Sequence, residues 1–76
     1  MTKNSDFCAL IKYLRERKGI SGRYLSIKAG LSPSYVSKVE NGVVLPTIES
    51  FAKIISHLDV TDKEVAYLIF TLLPKE

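Results

Sequence analysis

The sequence has few of the residues from which catalytic and metal sites are usually built. It contains a single cysteine, Cys8, a single histidine, His57, and no tryptophan. One cysteine cannot form a disulfide within the chain, so nothing indicates a secreted disulfide scaffold. We expect Cys8 to be a small, half-buried helix residue. His57 has no second histidine, cysteine or carboxylate at ligand spacing, so no metal site is expected.

Long apolar segments and catalytic motifs are also missing. The longest apolar run, residues 65–73, is interrupted by Thr71, and a membrane-spanning helix needs about 20 residues. The first ten residues show no signal peptide. No glycine-rich phosphate loop, paired carboxylates or nucleophile with an adjacent base is evident. We therefore expect a cytoplasmic protein that is not an enzyme, uses no cofactor and does not contact a membrane.

The charged residues are unevenly distributed along the chain. Residues 1–42 contain eight basic and three acidic side chains, a net charge of +5, whereas residues 43–76 contain three basic and five acidic ones, a net charge of −2. A basic half in a small chain favours one surface that faces a polyanion such as nucleic acid.

Caps, glycines and apolar spacing predict five helices and no strand, which indicates one compact all-α domain over residues 1–76. Phe7, Leu10, Ile11 and Leu14 follow the spacing of one helix face. The first predicted helix begins after Asn4 or Ser5 and ends at Lys18, and the second follows the Ser21 cap and ends at Ala29. The third runs from Pro33 to Glu40 or Asn41, the fourth follows the Thr47 cap, and the fifth runs from Asp62 to about Leu73. The fourth should bury the apolar residues Ile48, Phe51, Ile54, Ile55 and Leu58.

The segment Gly22–Asn41 reads as a helix, a tight turn and a second helix. Gly30 suits the turn because glycine adopts a positive φ angle without steric cost. Ser32 is predicted to cap the second helix, with Pro33 at its first position. The residues expected to face inward are Leu25, Ala29, Leu31, Val36 and Val39.

Three stretches resemble the Cro and phage-repressor type of helix-turn-helix regulators. They are LRERKGIS (Leu14–Ser21), GLSPSYVSKVENG (Gly30–Gly42) and LPTIESFAKIISHLDV (Leu45–Val60). The resemblance implies a five-helix lambda-repressor-like fold that binds double-stranded DNA with its third helix in the major groove. It also implies an ion pair between Arg15 and Glu40 that fixes the first helix against the third.

The same resemblance implies some of the DNA contacts. Ser34, Tyr35 and Lys38 match positions that face bases or phosphates, Asn41 matches a phosphate contact, and Ser32 is a possible phosphate donor. The chain departs from the family at Gly22 and Pro33, where members often have glutamine, and in the loop Val43–Leu45, which is often basic in relatives. The base preference therefore does not transfer.

The side chains themselves suggest roles in DNA binding. Lys38 can donate to guanine, the Tyr35 ring can touch a thymine methyl, and the hydroxyls of Ser34 and Ser37 can bond to base edges or phosphates. Arg23, near the start of the second helix, is the most plausible additional phosphate contact.

The fifth helix is apolar on two faces. Val65, Leu68, Ile69 and Leu72 share one face, whereas Tyr67 and Phe70 lie on another, flanked by Ala66 and Leu73. A helix with two apolar faces is either deeply buried or part of an interface. We favour a homodimer interface formed by Tyr67, Phe70 and Leu73 over a larger intramolecular burial.

Together these features indicate a homodimeric repressor that reads a pseudo-palindromic operator. An activator, such as a controller of a restriction system, remains an alternative. A further alternative is a protein-interaction module, such as an antitoxin, that binds a regulatory protein partner through the fifth helix and the loop Val43–Leu45.

Overall fold

The computed structural model describes residues 5–72, which form five α-helices and contain no strand. The helices are α1 (Ser5–Lys18), α2 (Gly22–Lys28), α3 (Tyr35–Glu40), α4 (Ile48–Ile55) and α5 (Asp62–Leu72). The predicted all-α, five-helix class is therefore confirmed. No helix in this part of the chain combines the length and apolar character needed to cross a membrane. Leu73 lies outside the described residues.

All five helices contribute to one apolar core. α1 presents Phe7, Ile11 and Leu14 to it, each almost completely buried, and the Phe7 ring lies 5.9 Å from that of Phe51. The other buried members are Leu25, Val36, Val39, Ile54, Leu58 and Leu68. α1 packs against both α3 and α5, so it connects the helix-turn-helix to the last helix.

Side-chain caps start three of the helices. The Ser21 hydroxyl accepts a hydrogen bond from the Tyr24 backbone N–H at 3.0 Å, and the Thr47 hydroxyl accepts one from Ser50 at 3.1 Å. At α5 the capping is reciprocal, since Thr61 accepts from the Glu64 N–H while the Glu64 carboxylate accepts from the Thr61 N–H. These bonds satisfy N–H groups that have no partner within their own helix.

The predicted buried face of α4 is wrong at its first residue. Phe51, Ile54 and Leu58 are buried and Ile55 is half-buried, but Ile48 is 83% exposed. Helical spacing defines which side of a helix is apolar, but it does not define how far along the helix the packing extends. Ile48 comes directly after the Thr47 cap and lies outside the packed region.

The inner face of α5 also differs from the predicted grouping. Ile69 is 47% exposed, whereas Thr71 is buried beside Leu68. The Thr71 hydroxyl donates a 2.7 Å hydrogen bond to the Leu68 carbonyl oxygen, which makes its burial tolerable. The prediction was wrong because the apolar pattern counts threonine among the solvent-exposed residues. A threonine can be buried, however, when its hydroxyl bonds to a carbonyl oxygen of its own helix.

Candidate nucleic-acid interface

The turn between α2 and α3 is built around Gly30. This glycine has a φ angle of +76°, and the N–H of the next residue, Leu31, bonds to the Ser26 carbonyl oxygen at 2.9 Å. Leu25, Ala29, Val36 and Val39 are buried, and Leu31 is half-buried against the core. α2 and α3 therefore bury a common apolar seam and leave the opposite side of α3 to the solvent.

α3 begins two residues later than the sequence predicts. Ser34, not Ser32, occupies its N-cap position, and Pro33 lies in the preceding turn. The Ser32 carbonyl oxygen accepts a 3.0 Å bond from Tyr35, while the Val36 N–H bonds to the Ser26 hydroxyl at 3.0 Å. Because this N–H is committed to another helix, the α-helical bond from Val36 back to Ser32 does not form.

The outer face of α3 consists of Ser34, Ser37, Lys38 and Asn41, all exposed and spaced as one side of a helix. The Asn41 amide lies 3.5 Å from the Ser37 hydroxyl. Tyr35 differs from them, because it is half-buried and packs against the core. The exposed surface of α3 is thus small, polar and singly charged.

Arg23 and Ser32 flank this outer face and are both exposed. Within residues 5–72, neither Arg23 nor Lys38 forms an ion pair. Gly22 lies close to α3: a Cβ atom placed there would stand 3.7 Å from Cγ1 of Val36. The start of α2 therefore lies against α3, and the exposed Arg23 of α2 and Lys38 in the last turn of α3 are two cations available to an anionic partner.

Arg15 and Glu40 form a two-pronged ion pair between the ends of α1 and α3. Arg15 donates from Nε to Oε2 of Glu40 at 2.7 Å and from Nη2 to Oε1 at 3.0 Å. A third bond runs from Nη1 to the carbonyl oxygen of Ile20 at 2.8 Å. The side chains of Arg15 and Glu40 are only 14% and 8% exposed. The hydrogen bonds to Glu40 raise the pKa of Arg15 above its ordinary value, so the guanidinium stays charged.

Comparison with protein families places this arrangement in a known group. The helix-turn-helix family model matches residues 11–65, which include α2, α3 and α4 completely. The chain belongs to the helix-turn-helix family of transcriptional regulators. The resemblance to the Cro and phage-repressor type that the sequence indicated is confirmed.

Two known proteins show how far the similarity of this helix-turn-helix regulator extends. It is 38% identical over 52 residues to the HTH-type transcriptional regulator SlrR of Bacillus subtilis (strain 168). That match covers 67% of this chain and 34% of SlrR, so the chain spans about a third of the length of that relative.

Two solved structures match almost end to end. One is a mutant of the restriction-modification controller protein C.Esp1396I, with a TM-score of 0.75, 31% identity, and 92% of this chain and 95% of that one covered. The other is C.Esp1396I bound to a 25 base pair operator site, with a TM-score of 0.73, 30% identity, and coverage of 93% and 95%.

A second arginine of α1 holds α5 in the regulator. Arg17 donates to both carboxylate oxygens of Glu64, at 2.7 and 3.0 Å, and Lys18 bonds to the Asp59 carboxylate at 2.8 Å. The bonds from Arg17, followed by the bond from the Thr61 N–H, lower the pKa of Glu64 to about 2. The bond from Lys18 lowers the pKa of Asp59.

The local sequence pattern does not predict these contacts, because the partners are 47 and 41 positions apart. The only signal was the charge pattern, with basic residues ending α1 and acidic ones starting α5. The local pattern also does not predict the contact from Cys8, whose thiol donates a 3.2 Å hydrogen bond to the Val39 carbonyl oxygen of α3. Local spacing cannot predict either kind of contact.

The outward side of α5 forms an apolar stripe of Tyr67, Ile69 and Phe70. These side chains are 54%, 47% and 61% exposed. The Tyr67 and Phe70 rings stack on each other with their centroids 6.4 Å apart. The structure thus places both predicted interface aromatics on the surface, and it adds Ile69 to them.

Proposed function

We propose that this helix-turn-helix regulator binds a two-fold symmetric DNA operator as a homodimer, with α3 in the major groove. The observation that carries the proposal is the outer face of α3, which is polar and uncovered while both ends of the helix are fixed by side chains of α1 and α2. A short, rigid, polar helix edge with free donors is suited to base edges and phosphates.

The proposed contacts divide into two classes. Ser34, Ser37 and Lys38 read base edges, with Lys38 donating to guanine. Arg23, Ser32 and Asn41 bind phosphates and set the register of the protein on the duplex. Part of the Tyr35 ring packs against the core. We therefore assign the Tyr35 hydroxyl to the DNA backbone, and only the exposed edge of the ring would contact a thymine methyl.

We further propose that residues 1–76 act as one domain in which α5 forms the dimer. Tyr67 and Phe70, extended by Ile69, would meet the same residues of a second copy, and the sequence pattern assigns Leu73 to the same interface. Aromatic side chains bury a large area at little entropic cost, which makes them frequent interface anchors. The dimer would act in the cytoplasm without catalytic activity, metal or cofactor, and would repress by occupying a promoter.

A second candidate function is that of a restriction-modification controller. It is favoured by one observation, the likeness to C.Esp1396I over 92–93% of this chain and at least 95% of the chains it matches. Both candidates require operator binding by a dimer. They differ in the position of the operator relative to the promoter.

The deciding experiment is selection of bound sequences from a random duplex pool, combined with sedimentation velocity at micromolar concentration. We expect a dimer that enriches two inverted half-sites about 10 base pairs apart, centre to centre, or a multiple of that spacing. Binding to bulk DNA should weaken with salt with a slope of several units.

Two results would contradict the proposal. Absence of DNA binding at low salt would favour the protein-interaction module that uses α5 and the loop Val43–Leu45. A monomer at micromolar concentration that still binds single half-sites would retain DNA binding but remove the dimer.

A further inference from the structure

Ser26 is a polar residue inside an apolar environment. Its side chain is fully buried in α2, between the buried Leu25 and the start of α3. The hydroxyl makes two hydrogen bonds: it donates to the Gly22 carbonyl oxygen at 2.8 Å and accepts from the Val36 backbone N–H at 3.0 Å. The first bond remains within α2, whereas the second crosses to α3.

The bond to Val36 determines where the α-helical part of α3 begins. In an α-helix that started at the predicted position, the Val36 N–H would bond to the carbonyl oxygen of Ser32, four residues earlier. Here the Ser26 hydroxyl takes that N–H, and the Ser32 carbonyl oxygen accepts from Tyr35, three residues later. The segment Ser32–Tyr35 is therefore a tight turn that leads into the helix.

The distinction matters for the side chains that precede the regular helix. A three-residue turn advances about 120° and 2.0 Å per residue, compared with about 100° and 1.5 Å in an α-helix. If the turn converted to a continuing α-helix, Ser32, Pro33 and Ser34 would rotate and shift relative to Lys38. The first turn would then present a different set of atoms from the same sequence.

We propose that Ser26 is a positioning residue for base readout: its buried hydroxyl holds the entrance of α3 in the turn geometry and so sets the direction of Ser34 relative to Lys38. This rests on the proposed function, because it assigns Ser26 a role in how that outer face meets DNA. Ser26 itself is buried and touches no ligand.

The test compares the variants Ser26→Ala and Ser26→Cys with the control Ser56→Ala. The alanine removes both bonds, and the cysteine keeps the approximate size with a weaker donor and acceptor. Ser56 is the control because its hydroxyl also donates to a carbonyl of its own helix, that of Lys53 at 2.8 Å, but makes no bond to another helix among residues 5–72. All proteins are assayed well below their melting temperatures.

The first readout is the backbone amide of Val36. In the wild-type protein this amide should be strongly protected from hydrogen exchange. In Ser26→Ala the amide shifts should change mainly within residues 32–37, with a smaller change of the same pattern in Ser26→Cys and none in Ser56→Ala. A rapidly exchanging Val36 amide in the wild-type protein would overturn the proposal without any variant.

The second readout is base preference in the random-duplex selection. We expect Ser26→Ala to lose about five- to tenfold of the discrimination at base pairs nearest Ser34, while the preference at the Lys38 position and the salt dependence stay unchanged. A uniform loss on every sequence, in step with a lower melting temperature, would show a merely structural role and overturn the proposal.

The two proposals fail in different ways. If the wild-type protein enriches no sequence, the proposed function fails. If the wild-type protein enriches an operator and Ser26→Ala enriches the same one with equal discrimination, only the role of Ser26 is refuted. Ser26→Cys supplies the same comparison if the alanine variant does not fold.

Discussion

Two helices of this regulator, α3 and α5, both bury an apolar face, but the faces that they expose to solvent differ in polarity. α3 buries Val36 and Val39, and its other side is polar; α5 buries Leu68, and its other side carries the apolar stripe. Each helix is held by an arginine of α1 through a two-pronged bond to a glutamate, Arg15 to Glu40 and Arg17 to Glu64. Both attachments use the same kind of bond, so the proposed roles of the two helices differ through their outer side chains.

The two arginine–glutamate pairs differ in their exposure to solvent. The Arg15 and Glu40 side chains are 14% and 8% exposed, whereas those of Arg17 and Glu64 are 38% and 28% exposed. Charges that are screened by water contribute little to stability, and partly buried, hydrogen-bonded pairs are costly to break. α3 is therefore fixed more firmly than α5, as expected if α3 must present a defined face and α5 is completed by a partner.

The largest expected effect comes from placing a charge in the apolar stripe. Phe70→Glu should raise the dissociation constant of the dimer about 100-fold, since an aromatic anchor is lost on both copies and like charges meet across the two-fold axis. Sedimentation equilibrium measures this change. Ile48→Glu is the control, because Ile48 is an apolar side chain outside α5 that is 83% exposed, compared with 61% for Phe70. Equal weakening by both variants would contradict an interface on α5.

The next prediction concerns the loss of stability when Arg15 or Arg17 is replaced by alanine. Arg15→Ala should lower the free energy of unfolding by about 1–3 kcal/mol, because Glu40 remains nearly buried without its partner. In a domain of this size this corresponds to a fall in the melting temperature of about 5 °C or more. Thermal denaturation of Arg17→Ala, the exposed counterpart, should show a clearly smaller fall. Similar melting temperatures for the two variants would remove the proposed difference between the helices.

A smaller effect distinguishes two cations near α3. Lys38→Ala should reduce discrimination at one base pair by about tenfold, since a base-edge contact is worth about 1–3 kcal/mol. Arg23→Ala should weaken binding to all sequences alike and reduce the salt slope by about one unit. Binding titrations on the selected operator and its single-base variants measure both. If Lys38→Ala lost affinity equally on every sequence, Lys38 would be a phosphate contact.

The smallest effect is the pH dependence of the stability that the Glu64 carboxylate contributes by bonding α5 to α1. The pKa of Glu64 is about 2, below its ordinary value of 4.5, so the ionised form favours the folded state. This stabilisation is complete above about pH 5 and is lost as the pH falls towards 2. The melting-temperature difference between wild type and Glu64→Gln should therefore be present at pH 7 and shrink on acidification.

Asp62→Asn is the control for this measurement. Asp62 lies on the same turn of α5, and it has no ion pair within residues 5–72. Its substitution should produce no comparable pH-dependent difference. A difference for Glu64→Gln that stayed constant from pH 7 to pH 2 would contradict the linkage.

The fold class and the helix-turn-helix were predictable from residues that lie close together along the chain. Local signals were sufficient there, because Ser21, Thr47 and Thr61 cap helices through bonds within four residues, and Gly30 marks a turn by its own backbone freedom. Apolar spacing identified most of the core for the same reason. These properties depend on neighbouring residues and are therefore readable along the chain.

Where the packing stops, and which polar groups bond across helices, depend on how the folded chain brings distant segments together. The exposure of Ile48 and Ile69 depends on what lies opposite each helix, and spacing alone does not define it. The late start of α3 results from a hydroxyl ten residues earlier in the chain, and the attachment of α5 from charges more than forty residues apart. Such contacts form only when the fold brings distant segments together, so no local pattern predicts them.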